Sequence, residues 1–153
     1  MVNINSENFF INLWNTFPHP SFVISKNFRI INLNSAVENL FITSKKKLQE
    51  KKINDFVEKG SLLLKVIDQT IFNQAPVVIY DINIYWDKKE FGKFNVYSSP
   101  IDNSIDNILL VMNLIPQKDR IDKKLLHQNA ARSVSGLSAM LAHEIRNPLA
   151  GIS

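Results

Sequence analysis

The sequence has no cysteine and little glycine or proline, and each shortage excludes a class of protein. Without Cys, its 153 residues contain no disulfide scaffold, no thiolate metal site and no cysteine nucleophile. Four Gly and six Pro, beside 45% hydrophobic residues, exclude collagen-like and disordered chains. The chain is long and apolar enough to bury the core of one domain and to carry a further segment.

Strong charge and long apolar runs are also lacking. The net charge is +4; residues 1–116 carry 12 basic and 11 acidic side chains, and residues 117–153 carry 6 and 3. Neither part has the dense basic stripe of a nucleic-acid-binding protein. The longest apolar run, Ile108–Met112, is too short to cross a bilayer, and the first residues lack the pattern of a signal peptide. The sequence predicts a cytoplasmic protein without a direct nucleic-acid or membrane partner.

Helical periodicity dominates the first half of the chain. Apolar residues spaced like one face of a helix predict a helix over Asn5–Phe17, which ends before Pro18 and Pro20. A second helix follows Asn34 or Ser35, either of which is a suitable N-cap. Short helical turns over 44–59 and a helix from Gly60-Ser61 to about Asn73 complete this part.

Runs of β-branched and aromatic residues, alternating with polar ones in Tyr80–Tyr85, predict five strands. A hairpin is predicted at Ser21–Ser25 and Phe28–Ile31, and a meander at Val77–Trp86, Phe91–Ser98 and Ile108–Ile115. Helices grouped between two sets of strands predict an α+β fold, a five-stranded antiparallel sheet with helices on one face.

Pro116 marks a domain boundary, after which the chain is polar and helical in pattern. We expect an α+β domain over 1–116, a connecting helix over 117–130 and the start of a helical bundle over 131–153. In the last segment one helix face carries an apolar stripe, which predicts a homodimeric bundle with a second copy. The stripe consists of Val134, Leu137, Leu141 and Ile145.

His143 lies opposite this stripe on the predicted helix, and Asn147 lies one turn further along the same exposed side. Pro148 should bend the helix just after the histidine and open one side of the imidazole. An exposed helical histidine is ordinarily plain surface. A zinc-binding His-Glu-x-x-His helix is excluded because Asn147 occupies the place of the second histidine.

The string Leu141-Ala-His-Glu-Ile-Arg-Asn-Pro-Leu149 resembles the phosphoacceptor box of sensor histidine kinases. The preceding run, Ala131–Met140, is similar to that of the NtrB-type nitrogen-regulation kinases, and Gly151-Ile152 continues the similarity. Residues Ile31, Asn34, Ala36 and Leu40 resemble the signature of a PAS domain, the sensor domain of this family. The resemblance implies a PAS-like sheet domain followed by the start of the phosphoacceptor domain, with its long C-terminal helix.

The resemblance assigns roles to four residues. His143 would be the phosphorylated residue, and Glu144 would act as the base or orient the other ring nitrogen. Asn147 would position the attacking group in phosphotransfer or in the reverse phosphatase step. Arg146 would be an electrostatic partner, because a phosphoryl group adds about 1.5 to 2 negative charges.

The resemblance also implies cofactors and partners. In the family, ATP and Mg²⁺ are bound by a domain whose Asp-x-Gly and Gly-rich motifs do not occur in these 153 residues, so we expect this chain to be inactive alone. The implied partners are an NtrC-type response regulator, which receives the phosphoryl group on an Asp, and the PII signal protein. The alternative is a stand-alone PAS dimerisation or signalling module without catalysis.

No cofactor is predicted for the PAS-like domain, and a domain that only dimerises or acts as a scaffold is an open alternative to a ligand sensor. The lack of Cys excludes a flavin–cysteinyl adduct, and no His lies between Asn34 and Asn73, where a haem ligand is expected. Five large aromatic residues are expected to be core rather than a cofactor pocket: Trp14, Phe22, Phe56, Trp86 and Tyr97.

Overall fold

The structure is a computed structural model that describes residues 2–101 and 106–116, with side chains from Ser6 onward. The predicted connecting helix over 117–130 and the predicted bundle segment over 131–153 lie outside the described residues. Among the described ranges, no helix has both the length and the apolar character that crossing a bilayer requires.

Along the chain, one helix precedes a pair of strands, and a helical segment then separates this pair from three further strands. The helices are α1 Val2–Thr16, α2 Ser35–Phe41, α3 Lys45–Leu48 and α4 Leu62–Asn73, with a 3₁₀ turn at Ile53–Asp55. The strands are β1 Ser21–Ser25, β2 Ile30–Leu33, β3 Val77–Trp86, β4 Lys89–Pro100 and β5 Asn107–Leu114.

The five strands form one antiparallel sheet in the order β2-β1-β5-β4-β3. The hairpin β1–β2 and the meander β3–β4–β5 are joined where β1 pairs with β5, with Phe22 opposite Leu110. The first and last strands of the domain therefore lie side by side at its centre, and the segment 34–76 crosses from one edge strand to the other.

One face of the sheet builds the core. Alternate residues of β5, namely Ile108, Leu110 and Met112, are buried, as the two-residue period of a strand requires. Helix α4 covers this inner face with one side of its surface, since Leu63, Val66, Ile67 and Thr70 are all buried. The predicted α+β class and the five antiparallel strands are confirmed.

Helix α1 departs from the predicted arrangement of helices on one face. Its last turn lies beside the outer face of the sheet, where Trp14 and Phe17 border a groove with Tyr97 and Val111. Side-chain contacts to β2 and α2 fix this position, since Trp14 Nε1 donates to Asn32 Oδ1 at 3.3 Å and Asn15 Oδ1 accepts from the Ser35 amide at 3.1 Å.

Turn geometry explains where strand bounds differ from prediction. β2 begins at Ile30 rather than Phe28, because Phe28 takes a left-handed conformation (φ 67°) in the turn between β1 and β2. A hydrogen bond from the Ser25 amide to the Arg29 carbonyl closes this turn. β4 begins at Lys89 rather than Phe91, because Trp86 pairs directly with Lys89 across a two-residue turn. Strands β1 and β3 have the predicted bounds.

The buried side chain of Asn34 joins the start of α2 to the segment before β1. Its Oδ1 accepts from the amides of Ser21 at 3.0 Å and Val37 at 3.3 Å. Its Nδ2 donates to the carbonyls of His19 at 3.1 Å and Phe17 at 3.4 Å. The predicted N-cap is confirmed at Asn34, and the same amide also holds the chain that enters the sheet.

Replacing Asn34 with Ala should lower the free energy of unfolding by about 3 kcal/mol. Four hydrogen bonds are lost at about 1 kcal/mol each, partly offset by water, and the buried Ser21 amide loses its side-chain acceptor. Urea unfolding of the variant measures the loss. Asn73→Ala, at an exposed position on α4, is the matched control and should change stability by less than about 0.5 kcal/mol.

Asn34→Asp separates capping from the rest of this contact. The carboxylate retains the acceptor for Ser21 and Val37 but faces the carbonyls of Phe17 and His19 without a proton to donate. It should therefore destabilise at pH 7 as much as Ala does. Wild-type stability in this variant would show that the two donated bonds contribute nothing.

The β3–β4 turn should be improved by glycine. Asp87 and Lys88 both have positive φ, 51° and 69°, the type I′ geometry that favours Gly at the second position. Lys88→Gly should raise the free energy of unfolding by about 0.5 kcal/mol, because relief of left-handed strain exceeds the entropy gained by the unfolded chain. The same change at exposed Lys65, inside α4, should lower it by about 1 kcal/mol. Equal effects at both sites would contradict this explanation.

Candidate functional site

An aromatic stack fills the space between the inner face of the sheet and the helices. The indole of Trp86 is nearly parallel to the rings of Phe41 and Phe56, with centroids 4.3 and 5.0 Å away and interplanar angles of 11° and 2°. Phe22 stacks at 5.7 Å, and Phe91 meets Phe41 edge-on at 4.9 Å. The stack connects β1, β3 and β4 to α2 and the 3₁₀ turn, so the interior is occupied by the protein's own side chains.

Sequence reasoning placed these aromatic residues only in part. Phe22 and Trp86 are core, and Phe56 is partly buried against it, as expected. Trp14 and Tyr97 are not core: Trp14 lies on α1 and Tyr97 on the outer face of the sheet, both half-buried. The alternation of β4 carried the signal for Tyr97, because its neighbours Val96 and Ser98 face inward.

The outer face of the sheet is apolar as well and forms the second feature. Val78, Tyr97, Leu109 and Val111 come from three adjacent strands, since Tyr97 pairs with both Val78 and Val111. Together with Trp14, Phe17 and His19 they line a groove of about 400 Å³. A sheet face turned toward water normally carries polar residues, so this composition indicates a binding surface.

A wider groove of about 880 Å³ runs along the other side of α1. It lies between the helix and the start of α3, and its lining includes Phe10, Leu13, Asn32 and Lys45. The apolar side of α1 thus separates two grooves. Sequence periodicity predicted the helix but not the exposure of its apolar side. The feature that could have indicated this exposure is the low charge of α1, in which Glu7 is the one charged residue.

The predicted catalytic residues are not part of these features. Among the described residues, no group of three or more His, Asp or Glu side chains could hold a metal ion. The residues to which the sequence assigns phosphoryl chemistry, His143, Glu144, Arg146 and Asn147, lie outside the described residues. The geometry therefore concerns the sheet domain, and the phosphoacceptor assignment stays a prediction.

The fold is that of a PAS domain. The structure superposes on the PAS domain of nitrogen regulation protein NR(II) from Vibrio parahaemolyticus with a TM-score of 0.60, at 22% identity, covering 69% of this chain and 96% of that one. It also matches histidine kinase ThkA, solved in complex with response regulator TrrA, with a TM-score of 0.57 at 21% identity, covering 87% of this chain and 39% of that one.

Within the proteins that contain this fold, the chain is homologous to NtrB-type sensor histidine kinases. It is 33% identical over 139 residues to the sensory histidine kinase/phosphatase NtrB of Rhizobium meliloti, covering 90% of this chain and 36% of that protein. It is 28% identical to NtrB of Rhodobacter capsulatus, covering 92% and 40%. The chain thus spans little more than a third of the length of these relatives. No family model matches the sequence.

The aromatic stack should be the most sensitive part of the core. Trp86→Ala should lower the free energy of unfolding by about 4 kcal/mol, because the void leaves Phe41 and Phe56 without their stacking partner. Tyr85→Ala, one position away and 49% exposed, should lower it by less than about 1 kcal/mol. Urea unfolding of both variants measures the difference. Similar losses at the two positions would show that the stack adds no stability.

Proposed function

We propose that this chain is the PAS sensor domain and the start of the phosphoacceptor domain of an NtrB-type sensor histidine kinase. The observation that carries the proposal is the 33% identity to Rhizobium meliloti NtrB over 90% of the chain. The string Leu141–Leu149, which resembles a phosphoacceptor box, supports the second part of the proposal. The whole protein then autophosphorylates with ATP and Mg²⁺ and signals in a two-component system of nitrogen regulation.

The chemistry assigned to His143 is a balanced phosphoryl transfer. A ring nitrogen attacks the γ-phosphorus of ATP, a P–N bond forms, and the bond to the bridging oxygen breaks, so ADP leaves. Glu144 holds or accepts the proton of the other ring nitrogen, and Arg146 offsets part of the added negative charge. Asn147 positions the attacking group when the phosphoryl group moves on to an Asp of the regulator or is hydrolysed. ATP and Mg²⁺ are bound by a domain that these 153 residues do not contain.

The proposed partners follow from this chemistry. An NtrC-type response regulator supplies the accepting Asp, and the PII signal protein is the source of input. A kinase of the same fold, ThkA, has been solved with its response regulator TrrA, which supports a regulator as the partner here. The apolar stripe from Val134 to Ile145 forms a homodimer with a second copy. Because ATP and the regulator are cytoplasmic, so is the proposed activity.

Labelling with radioactive ATP tests the assignment of His143 in the full-length protein that carries this sequence. We expect His143→Gln to abolish incorporation, because Gln offers no nucleophilic ring nitrogen. The wild-type label should be acid-labile, as a phosphoramidate bond is. His127→Gln is the matched control, a histidine before the phosphoacceptor string, and it should retain more than about half of the labelling.

Transfer to the regulator is the second readout. Addition of an NtrC-type receiver domain should remove the label from wild-type protein within minutes and deposit it on the receiver. Labelling that persists in His143→Gln would overturn the assignment of the phosphorylated residue. A wild-type protein that takes up no label with ATP and Mg²⁺ would favour a PAS signalling module without catalysis.

A further inference from the structure

Basic side chains gather where α3 and the turn after it lie against the edge strand β2. We call this cluster the lysine patch, and all of its members are exposed except the half-buried Lys45. Two carboxylates, those of Glu38 and Glu50, belong to the same stretch of chain, so the patch keeps a surplus of four positive charges. The patch consists of Arg29, Lys45, Lys46, Lys47, Lys51 and Lys52.

The rest of the sheet domain has the opposite charge. Apart from the patch and its two carboxylates, residues 1–116 contain six basic and nine acidic side chains. Within residues 2–101 and 106–116 no cation of the patch forms an ion pair, whereas Lys26 pairs with Asp106 at 3.4 Å. Like charges at such spacing repel one another and lower the stability of the fold. A negatively charged partner would relieve this repulsion.

Backbone hydrogen bonds hold the patch in place on β2. The Ile30 amide donates to the Lys51 carbonyl at 2.8 Å, and the Glu50 amide donates to the Ile30 carbonyl at 2.7 Å. Arg29 Nη1 donates to the Glu50 carbonyl at 2.7 Å, and the buried side chain of Leu48 fixes α3 against the core. The backbone under the lysines is therefore already ordered, which lowers the entropy lost when a partner binds.

An exposed isoleucine in a strained conformation adjoins the lysines. Ile42 is 88% exposed and left-handed, with φ 51°, a conformation that Gly and Asn adopt far more easily than a β-branched residue does. Glu38 places it beside the patch, since its carbonyl accepts from the Ile42 amide and its carboxylate accepts from the Lys45 amide at 2.8 Å. Neither burial nor backbone preference explains an isoleucine here. Contact with a partner does, because strained residues persist where function uses them.

We propose that the lysine patch and Ile42 bind an acidic segment of a partner protein, with carboxylates on the lysines and an apolar side chain on Ile42. A nucleic acid fits less well, because the one guanidinium already donates to a carbonyl and residues 45–52 offer no aromatic ring for a base. A membrane surface requires a broad apolar face, whereas Ile42 is the one large apolar side chain that is exposed between residues 35 and 52.

Binding of a fluorescent peptide to the full chain tests the proposal. The probe is an acidic peptide of about 15 residues with Leu at every fourth position and Glu or Asp elsewhere, and its comparison peptide carries Ser in place of Leu. Fluorescence anisotropy measures both Kd values. We expect the Leu peptide to bind about fivefold more tightly, since only it gains an apolar contact, and both to weaken with added salt. His143→Gln should change neither Kd, so this proposal and the phosphoacceptor assignment can fail separately.

Charge reversal locates the binding surface. Lys46→Glu combined with Lys47→Glu should raise the Kd of both peptides about tenfold, because two exposed lysines become carboxylates and the surplus charge disappears. The matched control is Lys88→Glu combined with Lys89→Glu, at exposed positions of the β3–β4 hairpin. It makes the same change in net charge and should alter either Kd by less than about twofold.

Ile42→Asn separates a role in binding from a role in the fold. Asn accepts the left-handed conformation, so Tm should rise by about 3 °C. The Kd of the Leu peptide should nevertheless rise about fivefold, while that of the Ser peptide stays unchanged, because only the apolar contact is lost. A residue that served the fold alone would not lose binding as stability increases.

Four results would overturn the proposal. Equal losses from the two charge reversals would mean attraction by net charge alone. A Leu peptide that binds Ile42→Asn as tightly as it binds the wild type would remove Ile42 from the surface. Tighter binding of single-stranded DNA or of phosphatidylserine vesicles would indicate a nucleic acid or a membrane instead. No binding of either peptide up to about 1 mM would mean that the lysines are a solvated surface.

Discussion

The amide of Asn34 is the contact on which the arrangement of this domain depends. One fully buried side chain caps α2, holds the backbone at the start of β1 and binds the carbonyls of Phe17 and His19 behind α1. Because Ser21 opens a central strand, the same contact links α1, the sheet and the helical crossover. Only an amide supplies two acceptor and two donor positions at such close range, which explains why a side chain otherwise typical of surfaces is buried here.

The two faces of the sheet differ in what covers them. The Trp86 stack and α4 cover the inner face, so its apolar residues are buried and stabilise the fold. The outer face carries apolar residues that contribute little to the core and border α1 instead.

Sequence patterns predicted the elements whose bounds depend on interactions between neighbouring residues. β1 and β3 have the predicted bounds because β-branched and aromatic runs alternate there without competition, and the caps at Asn34 and Ser61 act within one helical turn. The start of β2 was missed because Phe28 adopts a left-handed conformation that its side chain does not favour. The exposure of α1 was missed because periodicity reports that a helix has an apolar face, not whether the domain covers it.

The sequence by itself determined the α+β class, the succession of elements, the cap at Asn34 and the resemblance of the last residues to a phosphoacceptor segment. Each of these depends on neighbours within a few positions along the chain. The tertiary structure decided which aromatic residues fill the interior and which remain outside. Trp86 and Tyr97 belong to adjacent strands of similar composition. Trp86 is buried and Tyr97 is not, because the helical segment between β2 and β3 covers only one face of the sheet. That choice is set by contacts between residues distant in sequence, which no local pattern contains.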